Sequence, residues 1–212
     1  MYVDGDKRTR RTQAERREAT RQALIAAARA VFADRGYGDA STEEIARRAG
    51  VSRGALYHHF ADKQALFQAV VEAIEAEISE RVRLAALAAA DPAAAFAAGV
   101  GAFLDACLAS DVRRVLLIDG PAALGWQAWH AIELRYALAQ IEFGLQALID
   151  AGVLAEQPVR PQAHLIHGAL IEAALVIAGA DDPEAARRAM GAAFDRLLGL
   201  APTPPAVRKD AM

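Results

Sequence analysis

Between Ser41 and Leu66 the chain reads STEEIARRAGVSRGALYHHFADKQAL, a stretch that gathers hydroxyls, guanidinium groups, imidazoles and one ammonium. Such donors suit a polyanion: each can reach a phosphate oxygen, and a guanidinium can also bind guanine O6 and N7 together. Ser41, paired with Glu44 in a capping box, opens a helix that buries Ile45 and Ala49 and ends at Gly50. Ser52 caps a second helix, from Arg53 to about His59. Gly50 permits a sharp turn between them and Val51 supplies an apolar contact. This is helix-turn-helix geometry, in which the second helix enters the major groove through its N-terminal residues. Ile45, Ala46, Val51, Leu56 and Phe60 make its small core, which leaves Arg53, Gly54, Ala55, Tyr57, His58 and His59 facing outward. Tyr57 suits a core position equally well. Arg47 and Arg48 read as a solvated face.

The remainder of the chain is poor in reactive groups. After residue 84 the hydroxyl and thiol nucleophiles besides Tyr136 are Cys107, Ser110 and Thr203, and no Lys stands between Lys63 and Lys209. Schiff-base chemistry there is excluded, and no glycine-rich phosphate loop follows a strand, so the chain does not read as an enzyme. His164 and His167 lie three apart on one helix, a spacing a metal can use, but no compact third ligand stands near them. Packing is the reading preferred for that pair, and neither metal nor cofactor is expected. Trp126, Trp129, His130 and Glu133 cluster at the start of the longest helix, with Phe103 and Cys107 one turn apart on an earlier one. They are either core or the wall of a mostly apolar small-molecule pocket with a few polar groups.

Elements that position these residues follow from composition and periodicity. Of 212 residues, 53 are Ala, the best helix former, which makes an all-α fold the expectation. Residues 1–11, with Lys7, Arg8, Arg10 and Arg11, read as a flexible basic arm, and residues 201–212 as a disordered tail. Residues 12–62 make a three-helix DNA-binding domain. Its first helix opens at the capping box Thr12-x-x-Glu15 and runs to about Arg35. Asp62 caps a connecting helix over residues 63–90, in which Leu66, Val70, Ile74, Ile78 and Val82 stack four apart. Residues 91–200 form a larger helical domain, with helices at about 92–109, 111–118, 122–151, 161–179 and 183–199, about nine in all. Asp182-Pro183-Glu184 is a strong helix start. Apolar stripes on 161–179 and 183–199 suit a four-helix bundle between two subunits, or an internal core.

The longest uncharged stretches span 13 residues, Pro92–Leu104 and Gly120–Ile132, and Pro161–Ala180 carries His164, His167 and Glu172, so no membrane association is expected. One cysteine and no signal-like apolar block point to the cytoplasm. Residues 1–63 hold 13 Lys and Arg against 9 Asp and Glu, a net +4, whereas the rest is −7. A basic front on an acidic body fits a polyanionic partner.

The run Ile45-Ala46-x-x-Ala49-Gly50-Val51-Ser52-x-Gly54-x-Leu56-Tyr57-x-His59-Phe60-x-x-Lys63-x-x-Leu66, within Phe32–Phe67, resembles the signature of the TetR family of transcriptional repressors. That resemblance implies a homodimer, built through helices about 161–179 and 183–199, on a palindromic double-stranded operator, with an unidentified small-molecule effector in the C-terminal domain. It makes Ser41, Thr42, Tyr57, His59 and Lys63 phosphate contacts, with Ser52 and His58 on the same face. Arg53, Gly54 and Ala55 match positions that face base edges: Arg53 suits guanine and Ala55 a thymine methyl. The chain has no Asn to read adenine, and Glu43 stands where many relatives carry a basic residue. The expected effector site takes in Phe103, Cys107, Trp126, Trp129, His130, Glu133, His167 and Ile171. Two alternatives stay open: a regulator that needs no effector, and an enzyme fused to a DNA-binding module.

Overall fold

The computed structural model describes residues 12–199, so the expected arm and tail lie outside the described residues. Within them every regular element is helical. Thr12 and Glu15 form the reciprocal capping box that opens α1 (Gln13–Asp39). The helix breaks at Gly36 (φ 77°) and adds a short turn, Tyr37–Asp39, beyond the expected end at Arg35. Next come α2 (Thr42–Arg48), α3 (Arg53–His59) and α4 (Lys63–Leu87), capped by the side chains of Ser41, Ser52 and Asp62. Leu24, Val31, Phe32, Ile45, Leu56 and Phe67 are fully buried between α1 and these three helices. Phe32 and Phe67 meet edge to face with ring centroids 5.0 Å apart.

Beyond α4 lie α5 (Pro92–Ala106), a π-helical segment (Val112–Asp119), α6 (Gly120–Leu124), α7 (Trp126–Asp150), α8 (Val159–Gly179) and α9 (Pro183–Leu197). Two expectations are corrected. The helix at 111–118 is wound as a π-helix, a form that is rare and frequent at functional sites. The helix expected over 122–151 is two, because Gly125 (φ 81°) takes a conformation that ends α6 and starts α7 afresh.

Helix α8 has mean hydropathy 1.3 over eighteen residues and is long enough to cross a membrane. Its apolar side is spent inside the protein, where Ala163, Ile166, Leu170, Ala173, Ala174 and Ile177 are buried. His164, Leu165, Gly168, Glu172, Leu175 and Val176 form its exposed side. On α9 only Phe194 is fully enclosed, leaving Ala189, Ala192, Ala193 and Leu197 on the surface beside that stripe.

Candidate nucleic-acid interface and effector cavity

The turn between α2 and α3 is closed by the backbone. Gly50 (φ 70°) lets its own N–H reach the Arg47 carbonyl at 3.2 Å and the Val51 N–H reach that of Ala46 at 3.0 Å. Ile45, Ala46, Leu56 and Phe60 are buried as the pattern requires, with Val51 half-buried. The second capping box is only half made. Ser41 accepts from the Glu44 N–H, but the Glu44 carboxylate turns away to Arg48 (2.9 Å) and Arg35 (3.1 Å). Two guanidinium groups attract it more than one backbone N–H.

Arg53, Gly54, Tyr57 and His58 are exposed on α3, with Ala55 and His59 half-buried. The Arg53 guanidinium lies 2.7 Å from Glu43 and 5.6 Å from the centre of the Tyr57 ring. The hydrogen bond from Ser41, followed by the charge of Arg53, holds the Glu43 carboxyl below its ordinary range. Tyr57 shares a 3.2 Å hydrogen bond with Thr42, which, with Arg53, lowers its phenol pKa. Thr42 is thereby buried, its hydroxyl turned to Tyr57 rather than outward. On the other flank His58 and His59 face Arg16, Arg17 and Thr20 across a shallow groove. Burial first, then the charges of His58, Arg17 and Arg21, depress the His59 pKa. Sequence reasoning had not joined these α1 arginines to the α3 face. Their helix bears no marker of which side it turns to α3.

Lys63 departs most from expectation. Its ammonium donates to the carbonyls of Tyr37 (2.7 Å), Gly38 (3.2 Å) and Ala40 (3.2 Å) and lies 4.5 Å from the Tyr37 ring centre. All three of its donors are spent on the end of α1, so the phosphate contact expected of it has no proton to use. It ties α4 to the helix-turn-helix unit.

A cavity of about 380 Å³ runs along α4 from Glu75 to Leu87 and along α7 from Glu133 to Ala147, closed by α5 and α8. Its walls are apolar and aromatic, with Phe96, Phe103, Tyr136 and Phe143 among them. One end carries Glu75, Glu133 and His167, each 2–3% exposed. Oε1 of both glutamates and Nε2 of His167 have no hydrogen-bond partner. The two carboxyl groups touch, and burial pushes Glu75 up to about 7 and Glu133 well above its ordinary value, so at least one proton is held between them. Burial, then the neighbouring His130 and His164, lowers His167 to about 4 and keeps it neutral.

Of the expected effector residues, Phe103, Glu133, His167 and Ile171 line this cavity. Cys107, Trp126, Trp129 and His130 do not. Trp126 and His130 share the Glu133 stripe of α7, but one to two turns beyond the closed end. Trp126 is 58% exposed and stacks on His130, which in turn lies 5.6 Å from His167. Trp129 is fully buried and donates to the Leu116 carbonyl at 3.0 Å, pinning α7 to the π-helical segment. Cys107 is packed in the core, its thiol pushed up to about 12 by burial and by Glu133 and Glu75. Glu75 went unnoticed in the sequence. Its signal is an acid standing in the α4 row Val71, Glu75, Ile78, Val82, where periodicity asks for an apolar residue. Among the described residues no cluster of three metal-ligating side chains occurs.

Several bonds tie α1 and α4 to the segment Asp111–Leu124. Asp119, at the end of the π-helical segment, accepts from the Tyr37 N–H (2.7 Å) and from Arg114 (3.3 Å). Gln64 of α4 donates to the Ala123 carbonyl, and Arg29 of α1 bridges Glu77 of α4 and Asp111, each at 2.7 Å.

A helix-turn-helix unit carried on an all-helical body with an internal cavity defines the class of DNA-binding transcriptional regulators. Residues 24–70 match the family described as bacterial regulatory proteins, tetR family, and residues 93–200 match the tetracyclin repressor-like C-terminal domain. The chain belongs to the TetR family. A TetR-family transcriptional regulator from Pectobacterium atrosepticum is 39% identical, covering 92% of this chain and 100% of its own, with a TM-score of 0.79. RolR, solved in complex with resorcinol, is 26% identical over 91% of this chain and 98% of its own, with a TM-score of 0.68. The repressor BepR of Brucella suis is 50% identical over 62 residues, 29% of each chain, so the likeness to that curated relative spans less than a third of its length.

Proposed function

We propose that the protein is a homodimeric repressor that binds a palindromic operator and leaves it when a small molecule enters the α4–α5–α7–α8 cavity. The observation that carries this reading is the placement of α4. One end holds the helix-turn-helix unit through Lys63, and twelve residues on, Glu75 forms part of the cavity's polar end. A shift of α4 on ligand entry would move the recognition helices, whose half-sites must stay about 34–36 Å apart. The effector must bind the DNA-free arrangement more tightly, since equal affinity shifts nothing. The RolR complex with resorcinol supports a small aromatic molecule as a ligand for this fold.

The exposed stripes Leu165, Gly168, Leu175 and Val176 on α8 and Ala189, Ala193 and Leu197 on α9 suit a four-helix bundle with a second copy. On the DNA, Arg53 reads guanine, Gly54 and Ala55 approach the bases, and Ser41, Ser52, Tyr57, His58 and His59 contact phosphates, with Arg16 and Arg17 beside them. The cavity binds its ligand without transforming it. Sedimentation at micromolar concentration, with and without operator, tests the assembly. A dimer that turns monomeric in Leu165→Arg is the expected result, and a wild-type monomer overturns the interface.

A further inference from the structure

Resting on the reading of the cavity as the effector site, we propose that its ligand is a lipophilic amine, with an alkyl or aryl body along the apolar walls and a protonated nitrogen between Glu75 and Glu133. Two carboxyl side chains, each nearly sealed from solvent, face this cavity with one oxygen apiece unpartnered. No Lys or Arg lies at that end. Arg83, which also lines the cavity, is half-exposed and paired with Glu80 at 2.6 Å. Buried acids are ordinarily matched by a cation, and here the protein supplies none. The unpartnered His167 Nε2, 4.0 Å from Glu133, adds a further polar atom at that end. Phe96, Phe103 and Tyr136 line the cavity, and aromatic rings attract cations. A carboxylate ligand would meet two acids and no base at that end, so that class is disfavoured.

Binding has a proton balance. The ammonium takes the place of the proton held between Glu75 and Glu133, and that proton passes to solvent. The groups beside the pair are His167 on α8, lowered to about 4 by burial, and the Cys107 thiol at the end of α5, pushed up to about 12; neither brings a positive charge at neutral pH. Because that proton must leave before the ammonium can take its place, amine affinity rises with pH.

The test is calorimetry on the full chain with octylamine, octanol and octanoate, three probes of equal chain length. Octylamine is expected to bind at least tenfold more tightly than octanol, to release about one proton by the buffer dependence of its enthalpy, and to lose at least tenfold in Glu133→Gln. Octanoate is expected not to bind. Octanol or octanoate matching octylamine, or amine binding without proton release, overturns the amine class and leaves the cavity as an effector site. Silence from all three overturns both readings, because an apolar cavity of about 380 Å³ has room for an octyl chain. The comparison of probes is made on the unaltered protein, so it stands even if the Gln variant folds poorly.

Discussion

In the free protein Arg53 is paired with Glu43. Their 2.7 Å contact is exposed on both sides, and exposed pairs are weak, so it would yield readily to the guanine edge proposed for Arg53. Lys63 behaves in the opposite way. Its bonds to three carbonyls are half-buried and internal, so its removal acts on folding before it acts on DNA. Lys63→Met is expected to lower unfolding free energy by about 1–3 kcal/mol while leaving sequence preference unchanged. Chemical denaturation followed by operator titration separates those two effects.

The contacts that fix the helices divide into those that a local pattern announces and those that it does not. Ser52, Asp62, Asp91 and Asp182 each accept from the backbone N–H three residues on. Such caps depend on four consecutive residues, so those at Ser52, Asp62 and Asp182 were legible in the sequence, as was the core of the helix-turn-helix unit. Lys63 was legible only as a donor, because its partners lie 23 to 26 residues away. Glu75 meets Glu133 across two helices, and no periodicity on either one announces the meeting. The π-helical turn at Val112–Asp119 was also hidden: the apolar residues Val112, Val115 and Leu116 fit an ordinary helix equally well. Asp119 at its end binds the Tyr37 N–H, which joins the segment to α1. Asp119→Ala should expose that amide, so Tyr37 should exchange its hydrogen faster than its neighbours on α1. Unchanged exchange there would mean that the segment does not hold α1.

At the scale of the whole molecule, the buried acids set a pH dependence with a definite sign. Glu75 and Glu133 have raised values in the folded chain, so they bind more protons folded than unfolded. Their contribution is complete below the unfolded carboxyl value and is lost as pH climbs through about 7. His167, lowered to about 4, runs the other way, costing stability as pH falls from 6.5 toward that value. The two oppose each other in acid, where His59 acts with His167, and about one unit above 6.5 the histidine contribution is spent and that of the glutamates remains. Melting temperature is therefore expected to fall between pH 6.5 and pH 8, and to fall less in Glu75→Gln. A wild-type profile flat over that interval would contradict the raised carboxyl values.

Central to the proposed function is a recognition helix that reads DNA through Arg53, doubled by a second subunit. Selection of binding sites from random duplexes, run side by side on the wild type and Arg53→Ala, tests it most directly. The wild type is expected to enrich an inverted repeat with a guanine at one fixed place in each half. In Arg53→Ala that guanine is expected to lose its preference, a discrimination of about 1–3 kcal/mol per contact, while the repeat persists. Enrichment of the same guanine by the variant, or no inverted repeat from the wild type, would contradict it.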